Sequence, residues 1–208
     1  MKLPNQKDIQ EAIYALSSGN VVAFPTDTVY GLGVNPFIKE GVERIFEIKG
    51  RSKEIALPLL LANIEDIEIY STNIPNIVWK LAEVFLPGGL TIVLQKSLRV
   101  PKSVSGNTNT IALRVPNHPV PRMLASRLSV PITGTSANIS GMPPCVNANC
   151  VKKQFGDLVK VVIDGGFIGQ KESSTIIDAT KDPIRLLRKG SVKIKSIEQV
   201  LGYTLEQI

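Results

Sequence analysis

A chain of 208 residues, 43% hydrophobic and 20% charged, has the composition of an ordinary globular protein and the length of one domain with a sizeable core. The formal charge of +6 favours anionic partners, nucleotide or RNA, while the dispersed cations also suit a plain solvated surface. No apolar run approaches the ~20 residues of a membrane helix, and residues 1–8 lack the apolar core of a signal peptide. Cys145 and Cys150 cannot make a disulfide framework, and they lack the second ligand pair of a zinc site, so a cytoplasmic location is the default expectation.

Ile9, Ala12, Ile13 and Leu16 recur at helical spacing and stop at Gly19, which predicts an N-terminal helix. A strand over 21–24 follows and ends abruptly at Pro25. Val42, Ile45 and Phe46 mark a second helix running to about Lys49, before Gly50. The apolar run 57–62 reads as a strand buried on both faces. Ile77, Val78, Leu81, Ala82 and Phe85 give a helix entered through Pro75. Strands are expected over 90–95, 110–115 and 130–134, with a helix opened by Pro119 between the last two. A helix near 147–155, strands near 159–164, 174–178 and 184–188, and a closing helix near 196–201 complete an α/β chain with a mixed sheet flanked by helices.

The segment Pro25-Thr26-Asp27-Thr28-Val29-Tyr30-Gly31-Leu32-Gly33 places three hydroxyls, one carboxylate and two glycines directly after a buried strand. That is the rim of a ligand site. Common catalytic signatures are missing: there is no phosphate loop, no dinucleotide fingerprint and no Gly-x-Ser-x-Gly beside the single histidine, His118. His118, between Asn117 and Pro119, reads as a structural turn residue.

What remains is a set of polar groups at the ends of apolar runs. Lys49-Gly50-Arg51 closes a helix, where two cations could simply complement the helix dipole. Arg114 ends an apolar strand and needs an anion or several carbonyls; a ligand is favoured over a salt bridge. Ser136-Ala137-Asn138 follows Gly134 and Thr135; if Ser136 opens a helix, it is either an N-cap or the entrance to a phosphate site. Ser173-Ser174-Thr175 starts one strand and Arg188 ends another. Cations and hydroxyls at several strand ends, with hardly any carboxylates, describe a polyanion site.

Taken together, the segment 25–33, Lys49-x-Arg51, Pro87-Gly88-Gly89-Leu90-Thr91, Ala112-Leu113-Arg114-Val115-Pro116, Thr135-Ser136-Ala137-Asn138 and Ser173-Ser174-Thr175 resemble the YrdC-like threonylcarbamoyl-AMP synthases, over residues ~8 to ~190. The resemblance implies a twisted, mixed parallel and antiparallel sheet around a central basic cavity, as a single domain over 1–208 without the additional C-terminal domain of longer relatives. It implies conversion of L-threonine, bicarbonate and ATP to threonylcarbamoyl-adenylate and pyrophosphate, with Mg²⁺ held mainly through the ATP phosphates. The adenylate would serve tRNA-modification proteins, with direct tRNA binding as a further possible contact. By position, Thr28, Arg114 and Ser174 would face L-threonine, and Lys49, Arg51, Thr110, Ser136, Asn138 and Arg188 would face ATP.

The chain departs from the family pattern at Ser52 and Ile55, where many relatives carry Pro and Asn or Lys, and at Pro143-Pro144, where many continue into Ser-Pro-Thr. Any ATP contact made there must be lost or supplied elsewhere. Two competing readings are a non-catalytic RNA-binding module and a carbamoyl-transfer domain of the hydrogenase-maturation type. Aromatics are only 5% of the chain, which gives the first no stacking platform. The zinc-binding segments that accompany the second are missing.

Overall fold

The structure is a computed structural model that describes residues 4–52, 55–169 and 172–207. The part of the N-terminal reading that rests on residues 1–3 therefore lies outside it. Helix α1 (Gln6–Ser17) is capped by Asn5, whose side chain accepts from the Asp8 N–H, and buries Ile9, Ala12, Ala15 and Leu16. Two short strands follow, β1 (Val22–Phe24) and β2 (Gly31–Gly33), and then α2 (Lys39–Lys49), closed by Gly50 in the left-handed region. Next come β3 (Leu59–Leu60), α3 (Ile67–Tyr70), β4 (Ser71–Thr72), α4 (Asn76–Phe85), β5 (Leu90–Lys96), α5 (Lys102–Ser105) and β6 (Thr110–Arg114).

Helix α6 (Pro119–Leu128) begins at His118, whose Nδ1 accepts from the Val120 N–H over 3.2 Å. Burial lowers the His118 pKa, with Asp27 opposing. The lone histidine is thus a helix cap, in keeping with its structural reading. The chain then forms β7 (Ile132–Thr133), β8 (Thr135–Ser136), α7 (Ala148–Phe155), β9 (Val161–Val162), β10 (Thr175–Asp178), β11 (Arg185–Arg188), α8 (Ile194–Leu201) and β12 (Glu206–Gln207).

These strands make two mixed sheets. The smaller has the order β8-β2-β1-β9; the larger runs β12-β11-β10-β5-β6-β3-β7, with β4 added to β5. β5 pairs parallel with β10 and antiparallel with β6, so it is the spine of the larger sheet. The chain passes between sheets at Gly134, from β7 to β8, where an added Cβ would collide with the Leu60 side chain. The main core lies beneath the larger sheet and includes Leu59, Leu81, Leu90, Ile92, Leu113 and Ile177. A second cluster, with Leu16, Phe24, Val120 and Leu124, joins α1 and α6 to the smaller sheet.

Two expectations are corrected. Ser136 does not open a helix: it lies in β8, opposite Gly31, and the Ala137 N–H donates to the Tyr30 carbonyl. Its backbone is committed to a strand pairing that local sequence does not reveal. The two cysteines form a Cys145–Cys150 disulfide, so the pair offers no argument for a reducing compartment. Among the described residues, no helix is long and apolar enough to cross a membrane.

Candidate active site

The turn between β1 and β2 is shaped by one hydroxyl. Thr26 Oγ1 accepts from the Thr28 and Val29 N–H groups and donates to the Val29 carbonyl over 2.7 Å. This fold-back aims Thr28 at the C-terminal end of β6. There Arg114, buried at 6% exposure, is held on three sides. Its Nε donates to the Gly88 carbonyl (2.9 Å), Nη1 to Thr28 Oγ1 (3.1 Å) and Nη2 to Asp27 Oδ1 (2.6 Å). The salt bridge that the sequence ranked behind a ligand is present: Asp27 answers the charge. Burial still lowers the Arg114 pKa, opposed by Asp27. A guanidinium has five N–H donors, so one on Nη1 and one on Nη2 remain after these bonds.

Arg114 lines a cavity of about 460 Å³ on one face of the larger sheet, within the ~300–1,000 Å³ range of small-molecule sites. Thr91 and Val93 of β5, Ala112 of β6 and Ile176 of β10 form its floor. Thr28, Thr135 and Ser136 reach it from the smaller sheet side. Six of the nine residues expected from the sequence meet here: Thr28, Arg51, Arg114, Ser136, Ser174 and Arg188.

Arg188 donates through Nε and Nη2 to the Ser174 carbonyl and through Nη2 to the Ser174 hydroxyl. Its pKa is lowered by burial and then by the neighbouring charges of Arg114 and Arg51. Among the described residues, the lining carries three guanidinium groups and no carboxylate.

Three expected residues lie outside the lining. The Lys49 ammonium donates to the Ser136 carbonyl (2.6 Å), the Asn138 carbonyl (2.7 Å) and Asn138 Oδ1 (3.3 Å). Burial, and then repulsion from Arg51, lower its pKa to about 8. Asn138 accepts from Ser136 Oγ and donates to the Ile139 and Met142 carbonyls. Both side chains thus hold the 136–142 loop in shape. Thr110 shares its strand face with Ala112 and Arg114 but sits at the far end of β6, where its hydroxyl donates to Thr108.

Sequence reasoning did not pair Asp27 with Arg114, and it assigned no contact to Thr91 or Thr135 as site hydroxyls. Asp27 and Arg114 are separated by 87 positions, so only the hydroxyl motifs themselves were a signal. Ile55, a departure from the family pattern, lines the cavity and is half exposed. Tyr30 closes the back of the site: its hydroxyl donates to the Gly166 carbonyl and accepts from the Gly165 N–H.

The family model Sua5_yciO_yrdC, described as telomere recombination, matches residues 14–190. The chain belongs to the Sua5/YciO/YrdC family. Among its Sua5/YciO/YrdC relatives, the threonylcarbamoyl-AMP synthase of Pyrococcus abyssi is 41% identical over 187 residues, 90% of this chain and 55% of that protein. A putative threonylcarbamoyl-AMP synthase of Mycobacterium tuberculosis is 35% identical over 201 residues, 96% of this chain and 92% of that protein. The crystal structure of P. abyssi Sua5 complexed with L-threonine superimposes with a TM-score of 0.92 at 40% identity, covering 96% of this chain and 58% of the other. This chain therefore spans little more than half the length of the P. abyssi protein and nearly all of the mycobacterial one.

Proposed function

We propose that the chain is a threonylcarbamoyl-AMP synthase. It joins L-threonine, bicarbonate or CO2, and ATP into threonylcarbamoyl-adenylate and releases pyrophosphate, for the modification of tRNA beside the anticodon. The observation that carries this reading is Arg114: a buried guanidinium with two donors to spare, on a wall shared with Ser174, Arg51 and Arg188. The names of the relatives, and L-threonine in the P. abyssi Sua5 structure, support the same substrate.

Arg114 and Ser174 take the amino-acid carboxylate, with Thr28 beside it. Arg51, Ser136 and Arg188 face the ATP phosphates, while Lys49 and Asn138 act by holding the loop that presents Ser136. Thr110, off the wall, is given no contact. The neutral threonine amine adds to CO2 and releases one proton to solvent, giving a carbamate. A carbamate oxygen then attacks the α-phosphorus, and the bond to the bridging oxygen breaks as pyrophosphate departs with its electrons. The site's work is to hold the two reactants in line and to spread the negative charge that develops on phosphate oxygens over fixed guanidinium groups. Neither task requires a histidine or a nucleophilic side chain.

Among the described residues, no cluster of three or more His, Cys, Asp or Glu could hold a metal, and the lining offers hydroxyls but no carboxylate. Mg²⁺ fits only as the companion of ATP, bound by phosphate oxygens and water and offsetting their charge. The product goes to tRNA-modification proteins, with direct contact to tRNA and a location in the cytoplasm where tRNA is processed. Mass spectrometry of a reaction with ¹³C-bicarbonate tests the reading: threonylcarbamoyl-adenylate should carry the label, and a reaction that yields only unlabelled AMP species would overturn it.

A further inference from the structure

Ser174 is buried on the cavity wall, and both lone pairs of its hydroxyl are taken. Thr91 Oγ1 donates to Ser174 Oγ over 2.8 Å, and Arg188 Nη2 donates to it over 3.1 Å. A serine hydroxyl has two acceptor positions and one proton. The proton is therefore its only remaining hydrogen-bonding capacity, and among the described residues nothing accepts it. Thr91 is itself buried, and β5 runs between the strand of Arg114 and the strand that Ser174 precedes.

The geometry points to Thr91 as a positioning residue that, with Arg188, fixes Ser174 as a hydrogen-bond donor and so selects an anionic oxygen, the amino-acid carboxylate, for that wall. The inference rests on the reading that L-threonine occupies the wall of Arg114 and Ser174. It assigns Thr91 no contact with substrate. Its effect passes through the direction of one proton: without the Thr91 donor, the Ser174 hydroxyl regains a lone pair. Its proton is then free to turn away from the cavity. A group arriving at Ser174 would meet a donor or an acceptor with similar ease, and the preference for a carboxylate would weaken.

The test is calorimetric titration of the full chain with L-threonine and, separately, with ATP, for the wild type, Thr91→Val and Thr91→Ser. Valine keeps the shape of Thr91 without the donor; serine keeps the donor. Thr91→Val should bind L-threonine about tenfold more weakly, the usual loss for one buried hydrogen bond, with ATP affinity within about twofold. Thr91→Ser should restore L-threonine binding to within about twofold, which a purely structural role for the threonine methyl would not allow. If Thr91→Val does not fold, Thr91→Ser decides: L-threonine binding weakened tenfold despite the retained hydroxyl overturns the inference. Unchanged L-threonine binding in folded Thr91→Val, or an equal loss for both ligands, overturns the inference alone. A wild-type protein that binds ATP but no L-threonine overturns the substrate reading, and the carboxylate assignment at Ser174 falls with it.

Discussion

Removing Asp27 strands a buried cation. The Asp27 and Arg114 side chains are 16% and 8% exposed and 2.6 Å apart. Breaking such a pair by deleting one partner costs about 3–5 kcal/mol, because the other charge stays buried without its counterion. Arg114 keeps two neutral acceptors, the Gly88 carbonyl and the Thr28 hydroxyl, so Asp27→Ala should fall at the lower end, about 3 kcal/mol. At ~2–4 °C per kcal/mol for a domain of this size, the midpoint should drop by about 6–12 °C. Arg114→Ala leaves a carboxylate that water reaches more easily and should cost about 1–3 kcal/mol. The double variant leaves no charge behind, so its loss should fall short of the sum by at least ~1 kcal/mol. Urea denaturation of the four proteins measures the cycle. Losses that add within ~0.5 kcal/mol would show that the two groups do not act as a pair.

The Lys49 pKa, held at about 8 against an ordinary 10.5, gives a pH signature. Between these values the unfolded chain binds the extra proton, so this group's contribution to stability increases with pH across that window. Over the same range the site loses a nearby cation, so ATP affinity should fall as pH passes 8. Lys49→Met should flatten the profile, and an unchanged step in the variant would assign it elsewhere. Gly190→Ala should weaken L-threonine binding several-fold, since the new Cβ would collide with the Ser173 and Ser174 backbone; wild-type affinity would show that this segment gives way without affecting the wall. The Cys145–Cys150 bridge closes a loop of sequence separation 5, and loop entropy gives it about 2 kcal/mol. Cys145→Ala should lower stability by that amount in oxidising buffer, and dithiothreitol should lower the wild type equally while leaving the variant unchanged.

Helices were legible wherever apolar residues kept helical spacing: α1, α2, α4, α6 and α7 lie where the spacing predicts them. The short strands β2 and β8 were not, because Gly-Leu-Gly and Thr-Ser have no strand signature of their own. β8 becomes a strand only by pairing with β2 across more than a hundred positions, and β2 is held between β8 and β1. The site was legible at Arg114, Ser174 and Arg188 because a charge or hydroxyl at a strand end is costly unless something answers it. Lys49 and Asn138 carried the same signal for a different reason. Their polar atoms are spent on the 136–142 loop, and a loop clasp looks like a ligand contact in one dimension. Asp27 stood in plain view beside Thr28, yet its partner is visible only once β6 ends against the β1–β2 turn.

Pyrophosphate release from ATP and Mg²⁺, measured with L-threonine and bicarbonate each present or omitted, tests the central claim most directly. The account predicts release only when both are present, and its near loss in Arg114→Ala at low L-threonine. Equal release without L-threonine would contradict it.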